Sequence, residues 1–200
     1  MGDRLRIPSR RDLLGVALGA AASPLLGRLA GAEVDRDPPL LRNSRHQFTL
    51  LRGAKRVHDV ELKDLNGRAR RLSPVAGKVT LVNLWATWCE ACRVELPIFE
   101  RLQGTIGDRV TVTAVPTDTA DRTKVRDFLE SLNVRRLNVL LDSGRRLTSA
   151  SADEAAPLTL YGMPTTYLVD AGGATAGYIM GATDWASDEA QRLLAYYLAR

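Results

Sequence analysis

Residues 78–97 read KVTLVNLWATWCEACRVELP, and this stretch decides the fold. Lys78 to Trp85 is a continuous apolar run rich in β-branched residues, the pattern of a strand buried on both faces. Helical periodicity follows from Ala91 to about Ile106, with Pro97 inside it, and Trp88-Cys89-Glu90-Ala91-Cys92 falls at the junction. A strand that hands over directly to a helix puts Cys89 at the helix N-terminus. There the free backbone N–H groups and the macrodipole favour an anion and so stabilise a thiolate. Cys92 comes one turn later on the same face, within bridging reach. The pair suits a reversible disulfide: Cys89 attacks a partner, and Cys92 resolves the mixed disulfide. Pro97 removes a ladder hydrogen bond and predicts a kink in the helix.

Outward from this junction, short strands alternate with helical patterns. Val57 to Leu65 ends at Asn66-Gly67, a hairpin signal, and Ala69 to Leu72 is the returning strand. Val110 to Val115 predicts the next strand, Asp121 to Leu132 a helix capped by Asp121, and Asn138 to Leu141 a further strand. Thr165 to Val169 and Thr175 to Met180 flank Asp170-Ala171-Gly172-Gly173 as a hairpin. Ser187 to Arg200 reads as a closing helix capped by Ser187, with Leu193, Leu194, Tyr197 and Leu198 on its apolar side. The order β β β α β α β β β α predicts an α/β fold, a central mixed sheet with helices on both faces. There is no internal repeat, and neither a G-x-G-x-x-G nor a Walker loop.

Composition bounds the function. Two hundred residues, 45% hydrophobic and 26% charged, describe a soluble globular chain and exclude a collagen-like, low-complexity or multi-span membrane protein. Two cysteines cannot build a disulfide framework, so the fold rests on its core and the thiols are free for chemistry. The net charge of +5 is unevenly placed: residues 1–32 carry +3, residues 33–57 another +3, and residues 58–200 carry −1. The basicity thus belongs to a leader and a connector, and no nucleic-acid partner is expected. Arg4, Arg6, Arg10 and Arg11 precede an apolar run from Leu13 to Leu26, and Ala30-Gly31-Ala32 offers an A-x-A cleavage site. Ser9-Arg10-Arg11-Asp12-Leu13-Leu14 resembles the twin-arginine export pattern. As about 14 residues of helix, the run spans roughly 21 Å, short of a bilayer core. Residues 1–32 therefore read as an export signal or a retained N-terminal membrane tether, residues 33–57 as a linker in which Gln47 to Leu51 could add an edge strand, and residues 58–200 as the folded domain. Either reading of the leader places the domain in the periplasm or on the extracytoplasmic face of the inner membrane.

Two other uses of the cysteines fit less well. A zinc site needs more ligands, but there is no third Cys, and His46 and His58 both precede the pair; no metal and no cofactor are expected. A purely structural disulfide across two intervening residues would restrict little of the unfolded chain.

LVNLWATWCEACRVELP (81–97), together with LYGMPTTYLVD (160–170), resembles the TlpA/ResA-like family of extracytoplasmic thioredoxins. The likeness covers about 58–200, including Asp64-Leu65-Asn66-Gly67, Gly77-Lys78 and Gly181 to Ser187; NLWATWC, GMPT and the DWAS-type ending favour the TlpA branch. The resemblance implies a thioredoxin-like fold and a thiol-disulfide oxidoreductase working as a reductant through Cys89 and Cys92. Its clients would be apocytochrome c or proteins that assemble the copper centre of respiratory oxidase, and a membrane thiol carrier would supply the electrons. A monomer is expected.

The same resemblance gives roles to neighbouring residues. Asn83 stands where cytosolic thioredoxins bury an Asp, and the acid appears instead as Glu95, three residues past Cys92 on the same helix face. A carboxyl partly buried there has a raised pKa, takes the proton from Cys92 as that thiol attacks, and returns it later. Pro164 corresponds to the family's cis-proline against the disulfide. The backbone of Met163, with Pro164 and Thr165, would offer a client strand-like hydrogen bonds. Trp88 is expected partly exposed beside Cys89 as a client contact, and Glu90 exposed between the cysteines. Trp85 and Trp185 read as core, and the Arg pairs 70/71, 135/136 and 145/146 as solvated faces.

Other functions fit less well. Copper delivery in related proteins uses a C-x-x-x-C pair and a downstream His, whereas here the gap is two residues and no His follows Cys92. A thiol peroxidase needs Thr three residues before its reactive Cys, where this chain has Ala86. A non-catalytic interaction module would not need both cysteines and Glu95.

Overall fold

The computed structural model describes residues 37–53, 56–57, 60–73, 75–103, 105, 108–119, 121–149 and 156–200. The export-signal and tether readings of residues 1–32 lie outside them. A compact unit runs from Arg36 to Arg200. Its strands are β1 (Thr49–Leu50), β2 (Val60–Asp64), β3 (Ala69–Leu72) and β4 (Val79–Trp85). After helix α1 (Glu90–Gln103) come β5 (Val110–Pro116), α2 (Arg122–Ser131), β6 (Asn138–Leu141), β7 (Thr148–Ser149) and β8 (Leu158–Thr159). β9 (Thr165–Val169), β10 (Thr175–Met180) and α3 (Asp188–Leu198) complete the order.

The eight-stranded sheet has the order β1-β10-β9-β4-β5-β6-β2-β3, with β7 and β8 as a separate parallel ribbon. All seven residues of β4 are buried, because neighbours flank it on both edges and apolar layers cover both faces. It pairs parallel with β5, Asn83 opposite Ala114, and antiparallel with β9, Asn83 opposite Thr166. Successive β4 side chains alternate between two cores. Val79, Leu81 and Trp85 join one apolar cluster, and Val82 and Leu84 join the other. Trp85 and Trp185 are fully buried, as expected.

The class and the mixed sheet are those expected; the helices are distributed differently. Among the described residues, Leu96 and Phe99 of α1, Val125 and Leu129 of α2 and Leu193 and Leu194 of α3 all enter the same cluster. The steps β4→β5→β6 move the same way across the sheet, and right-handed crossovers then place α1 and α2 on one face. The other face is closed by Leu147, Leu158 and Tyr167 instead. Asp121 caps α2 by accepting from the Thr123 and Lys124 backbone N–H groups, and the Ser187 hydroxyl caps α3. Pro97 sits inside α1, which continues through it to Gln103.

The stretch read as a linker differs from that expectation. Leu41 and Phe48 are buried in the main core, Phe48 N–H donates to Leu41 O at 2.8 Å, and β1 pairs antiparallel with β10. This strap docks because Gly177 lacks a side chain: a Cβ there would lie 2.6 Å from the Phe48 ring. Charge and Pro38-Pro39 dominate the stretch, so two apolar residues seven apart left little periodic signal. The edge strand within 47–51 is present as β1.

The Arg pairs are exposed, but Arg70, Arg136 and Arg146 are among those held in place. Arg70 pairs with Asp64 at 3.1 Å, and Arg146 donates to Glu61 O. Arg136 clamps buried Glu100 through its backbone N–H, at 2.9 and 3.0 Å from the two carboxylate oxygens, and its Nε at 3.1 Å, while Leu137 N–H adds 2.9 Å. Burial alone would push this carboxyl up, but the N–H groups and the guanidinium hold it below its ordinary value. The clamp's stability is therefore full at neutral pH and is lost as pH falls through that lowered value. Glu100→Ala, which leaves the N–H groups of Arg136 and Leu137 unpaired, is expected to cost about 2–4 kcal/mol in chemical denaturation.

Candidate active site

Cys89 and Cys92 form a disulfide, with S–S 2.10 Å and Cα atoms 5.3 Å apart. Cys89 is the residue before α1, its carbonyl accepting from Arg93 N–H at 3.4 Å. Cys92 N–H points at Cys89 Sγ at 3.1 Å, so a first-turn amide is aimed at the sulfur that would carry thiolate charge. Cys89 is 4% exposed and Cys92 fully buried, which leaves Cys89 as the sulfur a partner can reach. The loop before it is braced from β5's end. Asp118 Oδ2 accepts from Thr87 Oγ1 at 2.6 Å and Thr87 N–H at 3.2 Å, and Thr117 N–H donates to Trp85 O at 2.9 Å. These braces lie where the parallel strands end, the usual place for function in such sheets.

Glu95 is fully buried, and every hydrogen-bonding group around it is neutral. Its Oε1 accepts from Trp185 Nε1 and Thr183 N–H, both at 3.1 Å, and its Oε2 from Asn83 Nδ2 at 2.8 Å. Asn83 Nδ2 also donates to Thr166 Oγ1 at 2.9 Å. Burial pushes the carboxyl up to about 8, against the opposing pull of Trp185, Thr183, Asn83 and Thr166. That value lies well above the ordinary carboxylate range and toward that of a free thiol. Asn83 Oδ1 has no protein partner. A half-turn of the amide would present it as an acceptor to protonated Glu95, so one side chain can serve both proton states.

The Met163–Pro164 bond is cis, as the resemblance implied, and Pro164 O accepts from Gly181 N–H at 2.7 Å. Thr165 is buried, its hydroxyl donating to Gly162 O at 2.7 Å. Met163 and Tyr161 on this loop, Glu90 and Val94 on α1, Met180, and the strap residues Asn43 to His46 border a groove of about 690 Å³. Trp88 stands 71% exposed, and Val94 and Tyr161 are exposed apolar side chains on the groove's border. Sequence reasoning missed Thr183, the indole N–H of Trp185, Asp118 and the strap. None of these carried a local signal: Trp185 read as core like Trp85, whose buried indole N–H has no partner among the described residues, and only the fold aims the Trp185 N–H at Glu95.

The arrangement can carry a two-electron exchange. With the pair reduced, Cys89 thiolate attacks a disulfide, forming a Cys89–client bond and expelling one client thiolate. Cys92 would then give its proton to Glu95 carboxylate and attack Cys89 Sγ, expelling the second client sulfur as a thiolate and leaving the Cys89–Cys92 disulfide. The client gains two electrons and the enzyme loses two. A thiol donor must then reduce the pair.

Fold and site together define a thioredoxin-like domain with a C-x-x-C disulfide. Residues 54–175 match the AhpC/TSA family, and the chain belongs to it. Over 117 residues it is 34% identical to the thioredoxin-like protein YneN of Bacillus subtilis, covering 58% of this chain and 64% of YneN. Over 121 residues it is 31% identical to the thiol-disulfide oxidoreductase ResA of the same organism, covering 60% and 63%. The chain thus spans under two thirds of these relatives. The crystal structure of a thioredoxin-family thiol:disulfide interchange protein from Chlorobium tepidum shares the fold, with TM-score 0.58 and 20% identity over 74% of this chain and 99% of that one.

Proposed function

We propose that this protein is an extracytoplasmic thiol-disulfide oxidoreductase that works as a reductant. The observation that carries the reading is the Cys89–Cys92 disulfide at the start of α1, with fully buried Glu95 one turn beyond Cys92. A structural disulfide has no use for a desolvated carboxyl on the same helix face. The ResA name, that of a thiol-disulfide oxidoreductase, supports the activity. The basic leader and apolar run of residues 1–32 support export or an N-terminal membrane tether, which puts the site where disulfides form.

The TlpA-like GMPT and DWAS segments support clients in respiratory assembly, apocytochrome c or copper-centre assembly proteins, with a membrane thiol carrier as electron donor. In each case the client is a disulfide-bearing polypeptide that lies across Met163 to Thr165 beside exposed Trp88. Trp88 and Met163 would form the client platform, with Pro164 and Thr165, which the resemblance implied as client contacts, buried and shaping the loop beneath it, and Cys89, Cys92 and Glu95 would carry the chemistry.

Trapping in cells tests this reading. Cys92→Ala removes the resolving thiol, so clients should accumulate as mixed disulfides on Cys89 and be named by mass spectrometry of the extracytoplasmic fraction. Exported cysteine-pair proteins of cytochrome or oxidase assembly are expected. Adducts confined to cytoplasmic proteins, or hydrogen-peroxide turnover as fast as disulfide turnover, would overturn it.

A further inference from the structure

The strap is bonded to the loop that holds Glu95. Asn43 closes a turn of its own, Oδ1 accepting from Arg45 N–H at 3.0 Å and His46 N–H at 2.8 Å. Its Nδ2 reaches across 137 or more residues of sequence to Met180 O at 2.7 Å, Thr183 Oγ1 at 3.1 Å and Gly181 O at 3.2 Å. Gly181 has φ +78, and a Cβ there would lie 3.3 Å from Asn43 Nδ2, so the loop is shaped around this amide. The next groups along the loop serve the carboxyl. Thr183 N–H donates to Glu95 Oε1, Trp185 N–H donates to Thr183 O at 3.1 Å, and Trp185 Nε1 also donates to Glu95 Oε1. Leu41 and Phe48, both buried, anchor the strap on either side of Asn43.

We propose that Asn43 is a positioning residue for thiol-disulfide exchange: by fixing the Gly181–Trp185 loop it aims the two donors on Glu95 Oε1, so the strap governs when that carboxyl holds its proton. The inference rests on Glu95 being the proton acceptor. Donors aimed at a carboxylate favour its charged form, and they do so most when the backbone that carries them is already in place. Without the Asn43 amide, the Met180 and Gly181 carbonyls and the Thr183 hydroxyl lose a shared donor and the loop is freer. Glu95 then keeps its proton to higher pH. β4 faces the carboxyl with Asn83, β9 with Thr166, and the loop with Thr183 and Trp185. On α1 its neighbour one turn back is Cys92, which does not titrate in the disulfide. A displaced midpoint in the oxidised protein therefore reports the donors and no second charge.

The test is the carbon-13 carboxyl titration of glutamate-labelled, full-length oxidised protein, with Glu95 assigned by the signal that Glu95→Gln removes. Asn43→Ala should move the Glu95 midpoint upward by about half a pH unit or more. Asn43→Ser, which keeps an acceptor for the Arg45 and His46 amides but has no Nδ2, should move it the same way. The pH profile of disulfide reduction should follow. Val139→Ala, in β6 and away from strap and loop, supplies a comparable loss of Tm and should leave the midpoint in place. An unmoved Glu95 midpoint in a folded Asn43 variant overturns the proposal, whatever happens to Tm. Failure of the underlying reading looks different: Glu95→Gln would then reduce disulfides at the wild-type rate.

Discussion

Cys89→Ser should lower the reduction of a protein disulfide by roughly a thousandfold or more, because a hydroxyl does not ionise near neutral pH and is a poor attacking group on sulfur. The fold should be nearly untouched. Ser differs from Cys by a single atom and fits the same buried place before α1, and the disulfide closes too short a loop to constrain the unfolded chain much. Loss of turnover with Tm changed by only a few degrees is therefore the expected pair of results. Cys92→Ala should behave differently: attack by Cys89 survives, and the cycle stops at the mixed disulfide.

Glu95→Gln carries the second large effect, visible in two measurements. In kinetics it removes the group that takes the Cys92 proton, and the resolving step should slow by about a hundredfold or more. The rise in rate as the carboxyl ionises near pH 8 should vanish with it. In stability the sign follows from the direction of the shift. Folded Glu95 titrates at about 8, above its ordinary 4.5, so between these values the unfolded chain releases a proton that the folded chain retains. Stability from this group is complete below about pH 4.5, falls by about 1.4 kcal/mol per pH unit as pH rises, and levels off above 8. Glu95→Gln should flatten that slope in denaturation curves taken from pH 5 to 8. An unchanged slope would mean the carboxyl is ionised in the folded protein at neutral pH.

How much was legible in the sequence depended on whether a residue's neighbours lie near it along the chain. The β4 run, the cysteines at its end, the Asp121 and Ser187 caps and the hairpin at 170–173 are local, and periodicity or spacing reports them. Glu95 was legible through the family resemblance; its three-residue offset from Cys92 alone reads equally as a solvated helix glutamate. Its complete burial was not, since the indole that covers it lies 90 residues on. Trp185 read as core and is core, but only its N–H direction makes it part of the site. The strap was hidden because two apolar residues and one Asn in a charged stretch give no period; Gly177 and Gly181, far along the chain, make room for it. β7 and β8, two residues each, were too short to register as strands. The distribution of helices depends on which way successive crossovers step across the sheet, information that lies in strand order and not in any one segment.

The central claim is that Cys89 attacks and Cys92 resolves. Acid-quenched mixing of each reduced single-cysteine variant with a disulfide-bonded model protein, followed by intact-mass analysis, tests it most directly. Cys92→Ala should capture one client per chain through Cys89 within the time the wild type takes to turn over, and Cys89→Ala should capture almost none. Equal capture by the two variants, or capture only through Cys92, would contradict the account.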